Sequence, residues 1–421
     1  MTRVLFVTCG FPPEQVGGVE QHTLEVARVL RRDGHEVIFY ARGTRDDVDE
    51  FATYETEFDG FATTRVVFRW SRTRSFRELY DDPALGRAFA AFLERSKPDV
   101  VHVHHFAGIG ASCLEAIRAQ GVPCVMTLHD YYLMCPRGQM FHPELRSCDQ
   151  AEPVQCGPCI ASTWPHLTSA DQDDVTVVAE LHDWLRGVLA KPDLLVTPSA
   201  ACRERFVGFG VAPDHVRVAL QGQDHAPFVG VQRSPSDRLR VGFVGTLIPS
   251  KGTHLIVEAF DRLPAGSASL LLAGNCPPFY QVTDYGDRIR ELVASVLAEN
   301  PVELLGTYAH SDLPALLGRI DVLVVPPLWH EVFGLTLREG MLAGCAVVAS
   351  QVGGLTDGIE EGVNGFTFPA GDVDALAGIL QRFVDEPGLA ARLGGAPSNV
   401  RRVEDLAREL CGVYAEVGAV M

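Results

Sequence analysis

The chain has 421 residues, 47% of them hydrophobic, enough for two ordinary domains that each bury a core. Its formal charge of −18 excludes a broad nucleic-acid surface, because gripping a polyanion takes a large basic face that neutralises phosphates. No run approaches the roughly 20 apolar residues that span a bilayer, and Val4-Leu5-Phe6-Val7 is too short for a signal-peptide core, so a cytoplasmic protein is expected.

The first half alternates short β-rich runs with helical periodicity. Val4–Thr8, His35–Tyr40, Val66–Trp70, Val100–His104, Val122–Leu128 and Leu194–Thr197 read as strands. Glu20–Arg32, Pro83–Arg95, Cys113–Gln120 and Val175–Leu189 read as helices. The alternation then restarts, with strands at Leu239–Gly245, Ser269–Ala273, Val302–Leu304, Val322–Pro326 and Ala346–Ser350. Helices are expected between and after them at Thr253–Arg262, Tyr285–Leu297, Asp312–Arg319, Leu335–Leu342 and Val373–Val384. Such alternation implies α/β architecture, two Rossmann-like parallel sheets covered by helices. The Gly- and Pro-rich stretch Gln221–Ser236 marks the linker, giving domains at 1–225 and 226–402 and a final helix within 403–421. Ligands in such sheets bind outside the carboxyl ends of strands, so a central cleft faced by both halves is expected.

The most informative string is Pro326-Pro327-Leu328-Trp329-His330-Glu331-Val332-Phe333-Gly334-Leu335-Thr336-Leu337-Arg338-Glu339. A strand ends, a loop carries Glu331, and a helix opens near Gly334 with free amides suited to an anion. Two carboxylates eight residues apart can accept hydrogen bonds from separate sugar hydroxyls on either side of a phosphate. A second strand-loop-helix, Gly242-Phe243-Val244-Gly245-Thr246-Leu247-Ile248-Pro249-Ser250-Lys251-Gly252-Thr253, combines close-approach glycines with the full charge of Lys251, which suits a diphosphate.

The first string is similar to the two-glutamate motif of family 4 retaining glycosyltransferases, which have the GT-B fold, and the similarity extends over nearly the whole chain. The resemblance implies that Glu331 holds the transferred sugar, that backbone at Phe333, Gly334 and Leu335 meets sugar or phosphate, and that Glu339 binds the ribose. It implies base contacts from backbone around Gly306 and Tyr308, and a loop at Gly17 and Gly18 facing the donor phosphates and the acceptor. It places His129, at the end of the run Val125-Met126-Thr127-Leu128, near the reacting sugar, with His105 as a weaker candidate. His102 and His104 alternate along a strand and are expected to pack within the sheet. The family usually carries arginine where this chain has Thr246. The donor is then a nucleoside-diphosphate sugar, the acceptor a glycan, lipid-linked or small hydroxyl compound, and no catalytic Mg²⁺ is required.

Cys135, Cys148, Cys156 and Cys159 fall within an insertion at about 131–165 that shows little periodicity. Cys156-Gly157-Pro158-Cys159 plus two further thiols supplies a tetrahedral set for structural zinc. An iron–sulfur cluster or two disulfides is the alternative, and His142 could replace one ligand. Arg65, Arg69, Arg72, Arg74 and Arg77 interleave with Phe68, Trp70 and Phe76, which suggests a local patch for an anionic acceptor or membrane surface. Asp46-Asp47-Val48-Asp49 and Asp171-Gln172-Asp173-Asp174 sit in polar loops and read as solvated charge. The rival readings are a glycan phosphorylase, a nucleotide-sugar epimerase, and a non-catalytic sugar-nucleotide scaffold.

Overall fold

A computed structural model describes residues 1–169 and 171–421. The chain divides into two compact units, the first made of Met1–Gln139, Asp149–Gly222 and Arg401–Met421, the second of Met140–Cys148 and Gln223–Val400.

In the first unit the strands are β1 (Arg3–Thr8), β2 (Glu36–Gly43), β3 (Thr53–Phe58), β4 (Phe61–Val67), β5 (Val100–Val103), β6 (Cys124–Thr127), β7 (Leu194–Thr197) and β8 (Val216–Val218). Among the described residues they form one sheet in the order β3-β4-β2-β1-β5-β6-β7-β8. Its helices are α1 (Gly18–Arg32), α2 (Pro83–Ser96), α3 (Ser112–Ala119), α4 (Pro153–Thr163), α5 (Asp174–Leu189) and α6 (Ala200–Phe209). The central runs VVHV, CVMT and LLVT are buried at every position, as strands covered on both faces must be. Every pairing is parallel except the β3–β4 hairpin.

That hairpin departs from the sequence reading. Thr53–Phe58 has too many Thr and Glu to look like a buried strand, but its exposure alternates residue by residue, which suits a sheet edge. Asp59 and Gly60 turn the chain with φ of 53° and 73°, the left-handed pair that a two-residue hairpin requires.

In the second unit β9 (Leu239–Val244), β10 (Ala268–Ala273), β11 (Val302–Gly306), β12 (Val322–Val325), β13 (Ala346–Ser350) and β14 (Gly365–Phe368) pair in the order β11-β10-β9-β12-β13-β14. The accompanying helices are α7 (Thr253–Phe260), α8 (Tyr285–Ser295), α9 (Leu313–Leu317), α10 (Leu335–Leu342), α11 (Val373–Asp385) and α12 (Leu389–Gly394). Apolar clusters cover both faces of this sheet. Ile256, Phe260, Leu272 and Val348 centre one, and Leu317, Leu323, Leu337 and Val347 the other. Each such side chain contributes about 1.5–3 kcal/mol by leaving water. The last helix, α13 (Val403–Glu416), returns to the first unit, where Leu406, Leu410 and Tyr414 join Leu24 and Leu30 of α1 in one core.

Three local readings change. The aspartate run at 171–174 serves a helix start, since the Asp173 carboxylate accepts the Thr176 N–H at 3.0 Å. The Cys-rich segment is not irregular throughout: Pro153 opens α4 at a position where its missing N–H costs nothing. Gly157 then lets that helix approach the Asp174–Val175 backbone, where a Cβ would sit 3.0 Å away.

The arginine patch is corrected at Arg65, while Arg72, Arg74 and Arg77 are exposed. Arg65 is fully buried on β4, donating to the Phe11 and Pro12 carbonyls at 2.9 and 2.8 Å and lying 3.3 Å from Glu14. Arg69 is held by Glu50 at 2.8 Å, Arg72 lies over the Phe51 ring, Arg74 donates to the Ser71 carbonyl, and Arg77 lies over Trp184. These guanidinium groups brace their own chain. The acidic partners lie outside the window that looked purely basic.

Candidate functional site

In the second unit the sheet order reverses at β9, which has β10 on one side and β12 on the other. The loops leaving the carboxyl ends of β9 and β12 therefore flank a switch point, the usual ligand position in such sheets. The β9 loop runs through a 3-10 turn at Pro249–Lys251 and enters α7 at Gly252, whose φ is 68°. A Cβ at Gly252 would collide with the Pro326 carbonyl, so only glycine lets the two loops meet. The Leu328 N–H donates to the Ser250 carbonyl at 2.8 Å and ties them.

These loops bring two predicted residues into contact. Lys251 Nζ lies 2.5 Å from Glu331 Oε2 and 5.2 Å from the centre of the Trp329 ring. Glu331 is buried, and its negative charge is tolerated there because the ammonium neutralises it. Lys251 is thus not a free cation, a pairing that residue types eighty positions apart do not reveal.

Just beyond, Gly334 adopts φ of 80° and begins α10 with no side-chain cap, leaving the first-turn amides to an external acceptor. Phe333 is buried, while Leu335 is partly exposed and its carbonyl accepts from Gln223 at 3.1 Å. Glu339 is buried one turn into the helix. Burial, with the Glu339 carboxylate adding to it, pushes the Tyr308 phenol up to about 12. Gly306 has φ of 76° and accepts the Gly274 N–H at 2.8 Å, while the Gly245 N–H donates to Ala273 at 2.9 Å. Thr246 follows, half-buried, in the same joined loops. The result is a surface with free helix amides, one carboxylate–ammonium pair and a second carboxylate. It can hold a polyhydroxylated anion.

In the first unit His129 ends the β6 run with both ring nitrogens engaged. Gln221 Nε2 donates to its Nδ1 at 2.9 Å, and its Nε2 lies 3.0 Å from His104 Nδ1. The imidazole faces a histidine cluster. His22, His104 and His129 carry nitrogen atoms within 4.8 Å of one another, and His102 stacks on His104 with 4.0 Å between centroids. His102 spans the Tyr414 hydroxyl and Thr127 Oγ1 at 2.7 Å each. Burial drives the pKa of His22 down to about 4 and that of His102 to about 3, and holds His104 and His129 well below the ordinary value. Neutral imidazoles pack like other aromatic rings. Neither His22 nor Gln221 stands out in the sequence, because each belongs to an element whose fold alone brings it to the cluster.

His105 behaves oppositely. Burial by itself would lower it, but Cys9 and the Asp130 carboxylate, 3.3 Å away, hold its pKa well above the usual range. Gly17 and Gly18 lead into α1 with no left-handed angle. Gly17 is extended, and a Cβ there would stand 2.7 Å from the carboxylate of Glu20. Cys156 and Cys159 lie one turn apart on α4, so they share a face. Cys135 follows the Tyr131 turn, and the Cys148 N–H donates to the Met140 carbonyl at 2.8 Å.

Residues 16–226 match the model of Glycosyltransferase Family 4, and residues 228–397 match that of Glycosyl transferases group 1. The chain belongs to glycosyltransferase family 4. This glycosyltransferase is 30% identical to a D-inositol 3-phosphate glycosyltransferase of Stackebrandtia nassauensis, over 76% of this chain and 68% of the relative. It is 25% identical to a glycogen synthase of Mycobacterium tuberculosis, over 93% of this chain and 88% of the relative. Its fold is GT-B, shared with a sucrose-phosphate synthase of Thermosynechococcus elongatus at a TM-score of 0.72 and 20% identity, covering 99% of both chains. An Anabaena protein, Alr3699/HepE, solved with UDP and glucose, aligns at a TM-score of 0.68 and 20% identity, over 99% of this chain and 100% of its own. Among the described residues no helix of the glycosyltransferase is long and apolar enough to cross a membrane.

Proposed function

We propose that this glycosyltransferase takes a hexose-type sugar from a nucleoside-diphosphate sugar and transfers it, with retained anomeric configuration, to a hydroxyl of a glycan, lipid-linked or small acceptor. The observation that carries the proposal is the Lys251–Glu331 pair set beside the uncapped amides of α10 at the switch point of the second sheet. Arrival of the donor exchanges partners within this pair. A sugar hydroxyl donates to Glu331, and Lys251 turns to the diphosphate together with the amides at Phe333 and Gly334. Glu339 takes the ribose, backbone around Gly306 and Tyr308 takes the base, and Gly245 and Thr246 admit the phosphates.

As the C1–phosphate bond breaks, the acceptor oxygen bonds to C1 on the same face and its proton passes to the departing phosphate oxygen. The chain's contribution is positioning and charge stabilisation, and no Mg²⁺ enters. Gly17, Gly18 and His129 belong to the acceptor side in this reading. His129, with both nitrogens occupied, shapes that side through its carbon edge and backbone and transfers no proton. A cytoplasmic location suits the buried thiols of Cys113, Cys124, Cys202 and Cys345.

A thermal-shift screen of the protein against UDP, GDP, ADP and dTDP tests the donor role. One nucleotide at 100 times its Kd should add about 2.7 kcal/mol of stability, and Glu339→Ala should abolish the shift. Absence of any shift, together with no release of nucleotide from the corresponding sugars, would move the non-catalytic scaffold to the front.

The four cysteines Cys135, Cys148, Cys156 and Cys159 are proposed to hold one structural zinc. Thiolates one turn apart on α4 supply two ligands with compatible spacing. Elemental analysis should find about one zinc per chain, lost in a Cys156→Ser, Cys159→Ser double variant. Iron with visible absorbance, or thiols already oxidised, would overturn it.

A further inference from the structure

Arg338 precedes Glu339 in α10, yet its side chain is 4% exposed. Nη1 donates to the carbonyls of Phe333, of Leu355 at 3.3 Å and, at 3.5 Å, of Gly334. Nη2 donates to the carbonyls of Gly354, at 3.0 Å, and Asp357. The guanidinium also lies 4.3 Å from the centre of the Phe333 ring. Burial lowers its pKa to about 10, against the pull of the Asp357 and Glu331 carboxylates, so it stays charged at neutral pH.

The carbonyls it collects belong to two loops. One ends at Gly334 immediately before α10, and the other is the turn at 353–357 after β13. Carbonyls in such loops lack ladder partners, and burying them without donors costs about 1–3 kcal/mol each. The second loop grips the first. The Gly354 N–H donates to the Glu331 carbonyl at 2.8 Å, and Gly353, with φ of 55°, packs so closely that a Cβ would collide with the same carbonyl. Contacts therefore run from Arg338 to the 353–357 turn, from that turn to the Glu331 backbone, and from Glu331 to Lys251.

We propose that Arg338 is a positioning residue that clamps the 331–334 loop and the 353–357 turn into one rigid body, fixing the Glu331 carboxylate and the first amides of α10 for the donor. The inference rests on the donor role of Glu331. A fan of carbonyls on two loops matches a planar fork with five N–H donors, and a lysine ammonium cannot span it.

The test compares wild-type protein with Arg338→Lys and Arg338→Met. The substrate is whichever of UDP-, GDP-, ADP- or dTDP-glucose carries the nucleotide that stabilises the wild type, and nucleotide release is measured. Misplacing Glu331 by about 1 Å should lower kcat roughly 10–100-fold. The Kd for the free nucleoside diphosphate should rise by a smaller factor than kcat falls, because Glu339 and the backbone around Gly306 and Tyr308 still hold the ribose and base. A kcat in both variants within about threefold of the wild type, or a parallel loss of nucleotide affinity and turnover, would overturn the proposal.

Hydrogen exchange on the wild type decides the same point even if both variants fail to fold. Segments 331–337 and 353–357 should open together as one protected unit. Separate, loop-like exchange would sink the clamp. If the wild type binds nucleotide and the variants do not differ from it, only this inference fails. A wild type that neither binds nor turns over defeats the donor reading and leaves exchange to judge the clamp.

Discussion

Lys251→Ala is expected to lower kcat/KM for the donor by about 10²–10³, the usual size of losing one preorganised charge that stabilises a leaving group. Its effect on stability should be distinct from that of Glu331→Ala. Removing the lysine leaves a carboxylate whose side chain is 10% exposed, whereas removing the glutamate leaves an ammonium at 29% that can reach water. Leaving the less exposed charge alone is the costlier choice, about 3–5 kcal/mol where burial is complete. The Lys251→Ala protein should therefore melt below the Glu331→Ala protein. The double variant should recover part of the loss, since no buried charge is then left alone. Turnover of Lys251→Ala within threefold of the wild type would remove the lysine from the mechanism, and additive stability effects would remove the pairing.

The second large effect is acid sensitivity of the first unit. His22, His102 and His104 are buried and neutral, with folded pKa values of about 4, about 3 and well below the ordinary value. In the unfolded chain they titrate near 6.5, so unfolding takes up protons and stability falls as pH drops from 6.5 toward 4. Between pH 6.5 and 5 each such imidazole costs about 2 kcal/mol, and three together remove of the order of 5 kcal/mol. His105, held above its ordinary pKa, works in the opposite direction and is most favourable below pH 6.5. His129, also well below its ordinary pKa, and His182, lowered to about 4, act with these three, so the lowered groups outweigh the one raised. Melting temperature followed by circular dichroism should fall by roughly 10 °C across this window, and His104→Asn should flatten the slope. A transition that does not move between pH 6.5 and 5, where carboxylates are still ionised, would show that the cluster is hydrated and accessible to protons.

Much of the architecture was legible before the structure. Largely apolar runs such as Val100–Val103 and Leu194–Thr197 read as central strands of a covered sheet, and the string around Glu331 and Glu339 pointed to family 4. Both are local signals: a strand buried on two faces is mostly apolar and admits a polar residue such as His102 only where it finds partners, and a helix opening on glycine is written in consecutive positions. Strand β3 was missed because an edge is chosen by what lies beside it, and α4 because Gly157 and Pro158 mask a helix that tertiary packing supports.

Composition and local pattern thus determined that the chain alternates strand and helix twice and carries carboxylates at a helix mouth. Only the tertiary structure decided which charges meet. It set Lys251 against Glu331, buried Arg65 against the Phe11–Pro12 loop, turned His129 toward His104 and Gln221, and gave Arg338 to the carbonyls of two loops. The reason is physical: hydrophobic patterning acts between neighbours in the chain, whereas the partner of a buried charge or donor is whatever the completed fold places within about 3 Å of it.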